Sequence, residues 1–186
     1  MSTSTFLNGQ LLIAQPKSQD RYFSKTVVLV AQHTEAGAWG VIVNKAARTV
    51  DMTDIMLAAG IDYPVQEKIF VGGPVEPTRV HVIHTLDWSS PSTLVIADNI
   101  GITGDVSILT AISAGTGPKL YRAGVGLAVW SAGQLEGEQS GKTPWTASHQ
   151  WLTTPATVDL CLTGSGQEQW QRAIDANVNQ TISMLF

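Results

Sequence analysis

The chain has 186 residues, which suits one medium domain with a core of its own. Hydrophobic residues make up 44% and charged residues only 14%, which excludes a disordered tail, a coiled coil and a collagen-like rod. The net charge is −4, and no Lys or Arg occurs between Arg79 and Lys119. Duplex-binding domains usually carry a basic face, because neutralising phosphates supplies most of their affinity, so direct DNA binding is disfavoured.

One cysteine, Cys161, allows no intrachain disulfide and implies no oxidising compartment. No apolar run approaches the ~18 residues of a membrane span. Met1 to Thr5 lacks the charged-then-apolar layout of a signal peptide. The expectation is a cytoplasmic protein of one domain, residues 1–186, with a flexible N-terminus over about residues 1–6.

Leu11-Leu12-Ile13-Ala14 is a short apolar run closed by Pro16. Thr26 to Ala31 is β-branched and nearly continuous, the pattern of a strand buried on both faces. Trp39 to Val43 reads as the next strand, so Val27 to Asn44 forms a hairpin. Its turn lies near Glu35-Ala36-Gly37, in a loop of several residues that includes His33. Thr53 to Ala59 reads as a short helix, capped by Thr53 and ended by Gly60. Strands are predicted over Lys68 to Val71, Val80 to Leu86 and Thr93 to Ala97. Asp105 caps a helix whose apolar face is Ile108, Leu109 and Ile112, with Gly115 as its stop.

Leu120 to Trp130 reads as a strand in which Gly124 and Gly126 mark a bulge or a close backbone approach. Trp145 to Pro155 reads as irregular, and Val158 to Leu162 as a short strand. Ser165-x-x-Glu168 has the spacing of a capping box, and Trp170, Ala173, Ile174 and Val178 then fall on one helical face. Strands dominate the first two-thirds and helices are interspersed. The fold class is therefore α+β, a single domain on a mixed, partly antiparallel sheet with flanking helices.

Three motifs suggest chemistry and each fails on a physical count. Gly137 to Thr143 resembles a phosphate loop but has three residues between its glycines where four are needed. Val129-Trp130-Ser131-Ala132-Gly133 resembles a nucleophile elbow, yet Val129 crowds the turn, and His149 precedes Asp159. His81 and His84 are three apart, which in a strand sends them to opposite faces, so they do not share a metal. The residues imply no catalytic set, no metal and no cofactor.

The order and spacing of four further blocks resemble one family. The first is Leu11-Leu12-Ile13-Ala14-x-Pro16 with Asp20, Phe23 and Val27. The second is His33-x-Glu35-x-Gly37-Ala38-x-Gly40-x-x-x-Asn44-Lys45. The third is Gly72-Gly73-Pro74-Val75 with Arg79 and Ile83-His84. The fourth is Gly126-x-Ala128-x-Trp130-x-Ala132-Gly133-Gln134-Leu135-Glu136. This pattern, from about Leu11 to Ile174, is similar to that of the AlgH/YqgE family. Departures are Ala46 for the usual proline, Ala97-Asp98-Asn99 for Ser-Asp-Gly, and Val129-Trp130-Ser131 for Gly-Trp-Gly. Trp151-Leu152 comes late, which places a small insertion around residues 138–148.

The resemblance implies a partly barrel-like sheet and a cytosolic bacterial protein. Members are often labelled transcriptional regulators, and the family supplies no catalytic residues to carry over. The leading expectation is therefore a regulatory or binding protein that acts through a protein or small-molecule partner. An enzyme or metabolite binder is the alternative, and direct DNA binding the third. The candidate binding surface comprises His33, Asn44, Gly72, Gly73, Asp98, Gln134 and Glu136, polar groups and glycines near strand ends. Gly133 to Glu136 should be a turn entering a helix, with Leu135 inward. Gln134 and Glu136 either lock a neighbouring loop or line a surface with His33 or Asn44.

Overall fold

The structure is a computed structural model that describes residues 6–141 and 151–186. Its first two strands, β1 (Gln10–Ala14) and β2 (Val27–Thr34), are buried on both faces, as their unbroken apolar runs require. Alternation sorts their side chains. Leu11, Ile13, Val27, Leu29 and Ala31 enter one core, while Leu12, Ala14, Val28 and Val30 enter another. β3 (Gly37–Ile42) pairs antiparallel with β2 from Val28↔Ile42 to Thr34↔Gly37, which is the expected hairpin. The loop between them is only Glu35-Ala36, so His33 is a strand residue and not a loop residue.

Two strands escape the sequence pattern, β4 (Ala46–Asp51) and, further on, β8 (Ile100–Thr103). β4 is half-exposed and lacks clear alternation, and β8 is only four residues long. α1 (Met52–Ala58) follows β4 directly. Its cap is Asp51 and not Thr53, because Asp51 and Asp54 form a reciprocal capping box that sets the start one residue earlier. β5 (Lys68–Val71), β6 (Val75–His84) and β7 (Leu94–Ala97) follow, β6 beginning earlier than its apolar half. α2 (Val106–Ser113) is capped by Asp105 as expected and buries Ile108, Leu109 and Ile112.

β9 (Tyr121–Ser131) joins the two halves of the sheet. It pairs antiparallel with β3 and β6 and parallel with β5. α3 (Gln134–Ser140) follows it. β10 (Trp151–Pro155) pairs with β1 over five residues, so the end of the stretch expected to be irregular is a strand. Val158–Leu162 is not a strand but a helix, α4. Thr157 caps it by accepting the Leu160 N–H, and that start outweighs the β propensity of so short a run. α5 (Gly166–Ser183) closes the fold. Its expected capping box does not form. Ser165 makes no side-chain cap, and Glu168 is drawn to Arg172 Nε at 2.8 Å instead. Val178 lies beyond the core and is 47% exposed, so the buried face of α5 ends before it.

The strand order is β10-β1-β2-β3-β9-β6-β8-β7, with β5 also paired to β9 and β4 paired to β5. This mixed, mainly antiparallel sheet curls into a half-barrel. The first core fills the curl, and α4 and α5 plug it with Leu160, Cys161, Trp170 and Ala173. α3 covers a second core on the outer face of β1, β2 and β3, and α1 and α2 cover a third over β5, β6 and β9. Among the described residues, no helix is long and apolar enough to cross a membrane.

Candidate functional site

The curl and the hairpin bring two expected residues together at one end of β2. His33 is buried, and its ring is held by backbone from the segment before β1. Leu7 N–H donates to His33 Nδ1 at 3.0 Å. The Asn8 side chain brackets the His33 main chain, accepting its N–H at 2.8 Å and donating to its carbonyl at 3.1 Å. Because Nδ1 accepts, the neutral ring carries its proton on Nε2. That atom lies 3.1 Å from Glu136 Oε1 on α3. The contact is short but poorly aligned. Among the described residues, His33 Nε2 and Glu136 Oε2 have no hydrogen-bond partner, although both are buried.

Gln134 and Leu135 take different parts. Leu135 points inward and is fully buried, as expected. Gln134 Oε1 accepts from Ser131 N–H at 3.0 Å and Ser131 Oγ at 3.2 Å, and its amide donates to Glu138 Oε1 at 3.0 Å. Gln134 is therefore the locking residue of the pair, and Glu136 is the one that meets His33. The Ser131 hydroxyl spends its proton on an amide oxygen, which does not activate a nucleophile.

Glu138 was not singled out in the sequence, yet it organises this end of the molecule. It is 7% exposed, and its Oε2 accepts from Trp130 Nε1 at 3.0 Å and Trp151 Nε1 at 2.9 Å. Two indoles on β9 and β10 thus close on one buried carboxylate. The available signal was a carboxylate one turn after Gln134, near two tryptophans in flanking apolar segments.

The remaining candidates lie elsewhere. Asn44 is at the opposite end of β2, roughly 20 Å from His33 at the rise of a strand. It is 2% exposed and fully used: Oδ1 accepts from Val27 N–H at 2.9 Å, and Nδ2 donates to the carbonyls of Lys25 and Gly166, each at 2.9 Å. Gly72 and Gly73 let β5 and β6 pass against β9. A Cβ on Gly73 would lie 2.0 Å from the Leu127 carbonyl carbon, and one on Gly72 2.3 Å from Gly126 O. Their close approach is to this chain's own backbone. Asp98 is exposed in the β7–β8 turn beside Asn99, whose φ is +53°.

The other titratable groups are internal. Burial pushes His81 down to about 4 and Cys161 up to about 12, so the thiol is a poor nucleophile at neutral pH. His84, also lowered by burial, contacts Thr85 O at 2.9 Å and Thr103 Oγ1 at 2.8 Å. Arg122, which the sequence also left unremarked, is 8% exposed and lies over the Phe70 ring at 4.0 Å. It donates to Val43 O, to Gln169 Oε1 at 2.9 Å and to Gly164 O at 2.7 Å, tying β9 to the start of α5. Among the described residues, no three His, Cys, Asp or Glu side chains converge as a metal site. Part of the phosphate-loop-like segment is helix α3; residues 142 and 143, His149 and the later part of the expected insertion lie outside the described residues.

The architecture is that of a single-domain α+β protein on a curled, mixed sheet, with five helices among the described residues. The chain belongs to the AlgH-like family, whose pattern it matches over residues 11–180. A UPF0301 protein of Rhizobium etli (strain CIAT 652) is 35% identical over 194 residues, covering 97% of this chain and 90% of that protein. One from Methylobacterium nodulans is 36% identical over 184 residues, covering 93% and 84%. The solution structure of AlgH from Pseudomonas aeruginosa superposes with a TM-score of 0.75 at 31% identity, over 100% of this chain and 95% of that one. The crystal structure of a Corynebacterium diphtheriae protein shares the fold, with a TM-score of 0.70 at 20% identity over 92% and 87%.

Proposed function

We propose that this is a regulatory binding protein that acts through a partner seated over His33 and Glu136, with no reaction of its own. One observation carries the reading. A buried histidine and a carboxylate meet at 3.1 Å, with Nε2 and Oε2 lacking hydrogen-bond partners among the described residues. An orphaned buried polar atom costs about 1–3 kcal/mol, so a donor brought by a partner to Glu136 recovers free energy that folding left unused. Oε2 itself is covered, so a partner's donor meets it by a shift of the side chain, which is 34% exposed. The net charge of −4 favours an indirect influence on transcription over operator binding.

The test compares two neighbours on α3. Glu136→Ala should melt like the wild type and lose partners captured from the native cytosol, detected by mass spectrometry for proteins and small molecules. Gln134→Ala should lose roughly 1–3 kcal/mol of stability, because Ser131 and Glu138 lose their partner. Retention by Glu136→Ala of every partner the wild type captures refutes the assignment. A submicromolar, sequence-selective complex with duplex DNA at physiological salt refutes the indirect route, since non-specific affinity lies near 10⁻⁴ to 10⁻⁶ M.

A further inference from the structure

A second concavity opens at the other end of β2, beneath Asn44. It is a cleft of about 370 Å³, within the size range of small-molecule sites. Arg21, Lys25 and Lys45 line it, and no Asp or Glu does. Three of the eleven Lys and Arg residues of an acidic chain therefore share one small cavity. None of the three forms an ion pair among the described residues. Lys25 Nζ rests on Gln167 Oε1 at 3.1 Å, and Lys45 Nζ lies 3.8 Å over the Tyr22 ring.

Lys45 is held below its usual range by burial, partly opposed by Asp20. Asp20 accepts the N–H groups of Tyr22 and Phe23 and does not line the cavity. Three cations gathered in one concave site focus a positive potential that an anion relieves.

The floor adds donors to these charges. Gly166 and Gln167, from the first turn of the 18-residue α5, line the cleft. Gly166 N–H is taken by Asn44 O at 2.7 Å. Ser165 makes no side-chain cap, so the next N–H groups have no side-chain acceptor of their own. Asn44, spent entirely on backbone, fixes Lys25 and Gly166 on either side of the opening.

We propose that this cleft binds the phosphate group of a small phosphorylated molecule, held by Arg21, Lys25 and Lys45. Lysines serve a phosphate dianion as point charges, and an arginine fork can bind two of its oxygens. A monocarboxylate satisfies less of this charge, and a cleft of about 370 Å³ fits a metabolite better than a duplex. The cleft is remote from His33 and Glu136, so its test is independent of the partner surface.

The experiment is an NMR titration of the full chain at low ionic strength. Probes are inorganic phosphate, a nucleoside monophosphate, succinate and a short DNA duplex. Saturable amide shifts confined to residues 21–26, 44–46 and 165–168 are expected with the two phosphate probes. Tighter binding of the monophosphate assigns a phosphorylated metabolite, and equal binding assigns the phosphate ion itself; both support the class.

Lys25→Met and Lys45→Met, each melting like the wild type, should weaken binding by about tenfold or more, whereas Lys119→Met, outside the cleft, should not. Three results overturn the proposal: no saturable shift with either phosphate probe, succinate binding as tightly as phosphate, or equal weakening by Lys119→Met. Duplex binding at these amides without phosphate binding also overturns it.

Discussion

Gly73→Ala should be among the most damaging single-methyl additions in this protein. Gly73 has φ of +158°, and an added Cβ would lie 2.0 Å from both the carbonyl carbon and oxygen of Leu127 and 2.3 Å from Ala128 N. Non-bonded carbons prefer about 3.5–4.0 Å, so the overlap is about 1.5 Å or more. The obstacle is the β9 main chain, which cannot turn aside as a flexible side chain does. Overpacking a well-packed site costs about 1–3 kcal/mol, and a left-handed torsion adds about 1 kcal/mol for an L residue. The sum is about 2–4 kcal/mol, a large share of a typical 5–15 kcal/mol. With a urea slope of about 2 kcal/mol/M, the midpoint should fall by about 1–2 M. Gly60→Ala is the control. Its φ is +79° but nothing lies within 4 Å of the new Cβ, so it should lose only the torsional ~1 kcal/mol, about 0.5 M. A Gly73→Ala midpoint no lower than that of Gly60→Ala refutes the crowding argument.

Other predictions follow from buried polar groups. Glu138→Ala should cost about 3 kcal/mol or more and alter tryptophan emission, because two buried indole N–H groups lose a charged acceptor; unchanged emission and melting refute the assignment. Asn44→Ala should cost about 2–4 kcal/mol by urea titration, since three backbone groups lose partners, and an unchanged midpoint contradicts this. His81 has its folded pKa depressed to about 4 from an ordinary 6.5 by burial. The unfolded chain therefore binds the extra proton first, so stability contributed by the neutral ring is present above pH 6.5 and is lost as pH falls from 6.5 to 4. The full loss is about 3 kcal/mol. His81→Leu should flatten that part of the pH profile, and a variant with an unchanged acid slope refutes the attribution.

The elements that were legible are those whose local pattern agrees with their surroundings. β2 and β3 announce themselves because both faces are buried, and α2 because Asp105, an apolar face and Gly115 all agree. Where one local signal stood alone, tertiary contacts decided. The Ser165-x-x-Glu168 spacing was correct for a capping box, but Arg172 offers Glu168 a charge and takes it away. Val158–Leu162 has apolar residues fit for a strand, yet a threonine cap starts a helix whose Leu160 and Cys161 reach the first core. β4 and β8 were hidden because strands of that size owe their existence to a partner rather than to their own residues.

The candidate site shows a different limit. Polar residues near strand ends are easy to find in a sequence, but which end of a strand each one occupies depends on register. His33 and Asn44 flank one hairpin, and the antiparallel pairing of β2 with β3 puts them at opposite ends of it. A single surface containing both was therefore excluded by the hairpin itself. The same pairing sets Asn44 beside Lys45 at the mouth of the cationic cleft, while α3 returns along β9 to carry Glu136 to His33. Lys25, Arg21 and Glu138 gave no sign in the sequence because a charged side chain in a loop or short helix reads as solvated surface. Their importance comes from a concavity or a pair of indoles supplied by segments far away in the chain. Two sites about one strand's length apart also make separable demands. Glu136→Ala should leave phosphate titration at the cleft unchanged, and Lys45→Met should leave partner capture at His33 unchanged. If either substitution abolishes both, the two ends are one coupled system and the division drawn from the hairpin is wrong.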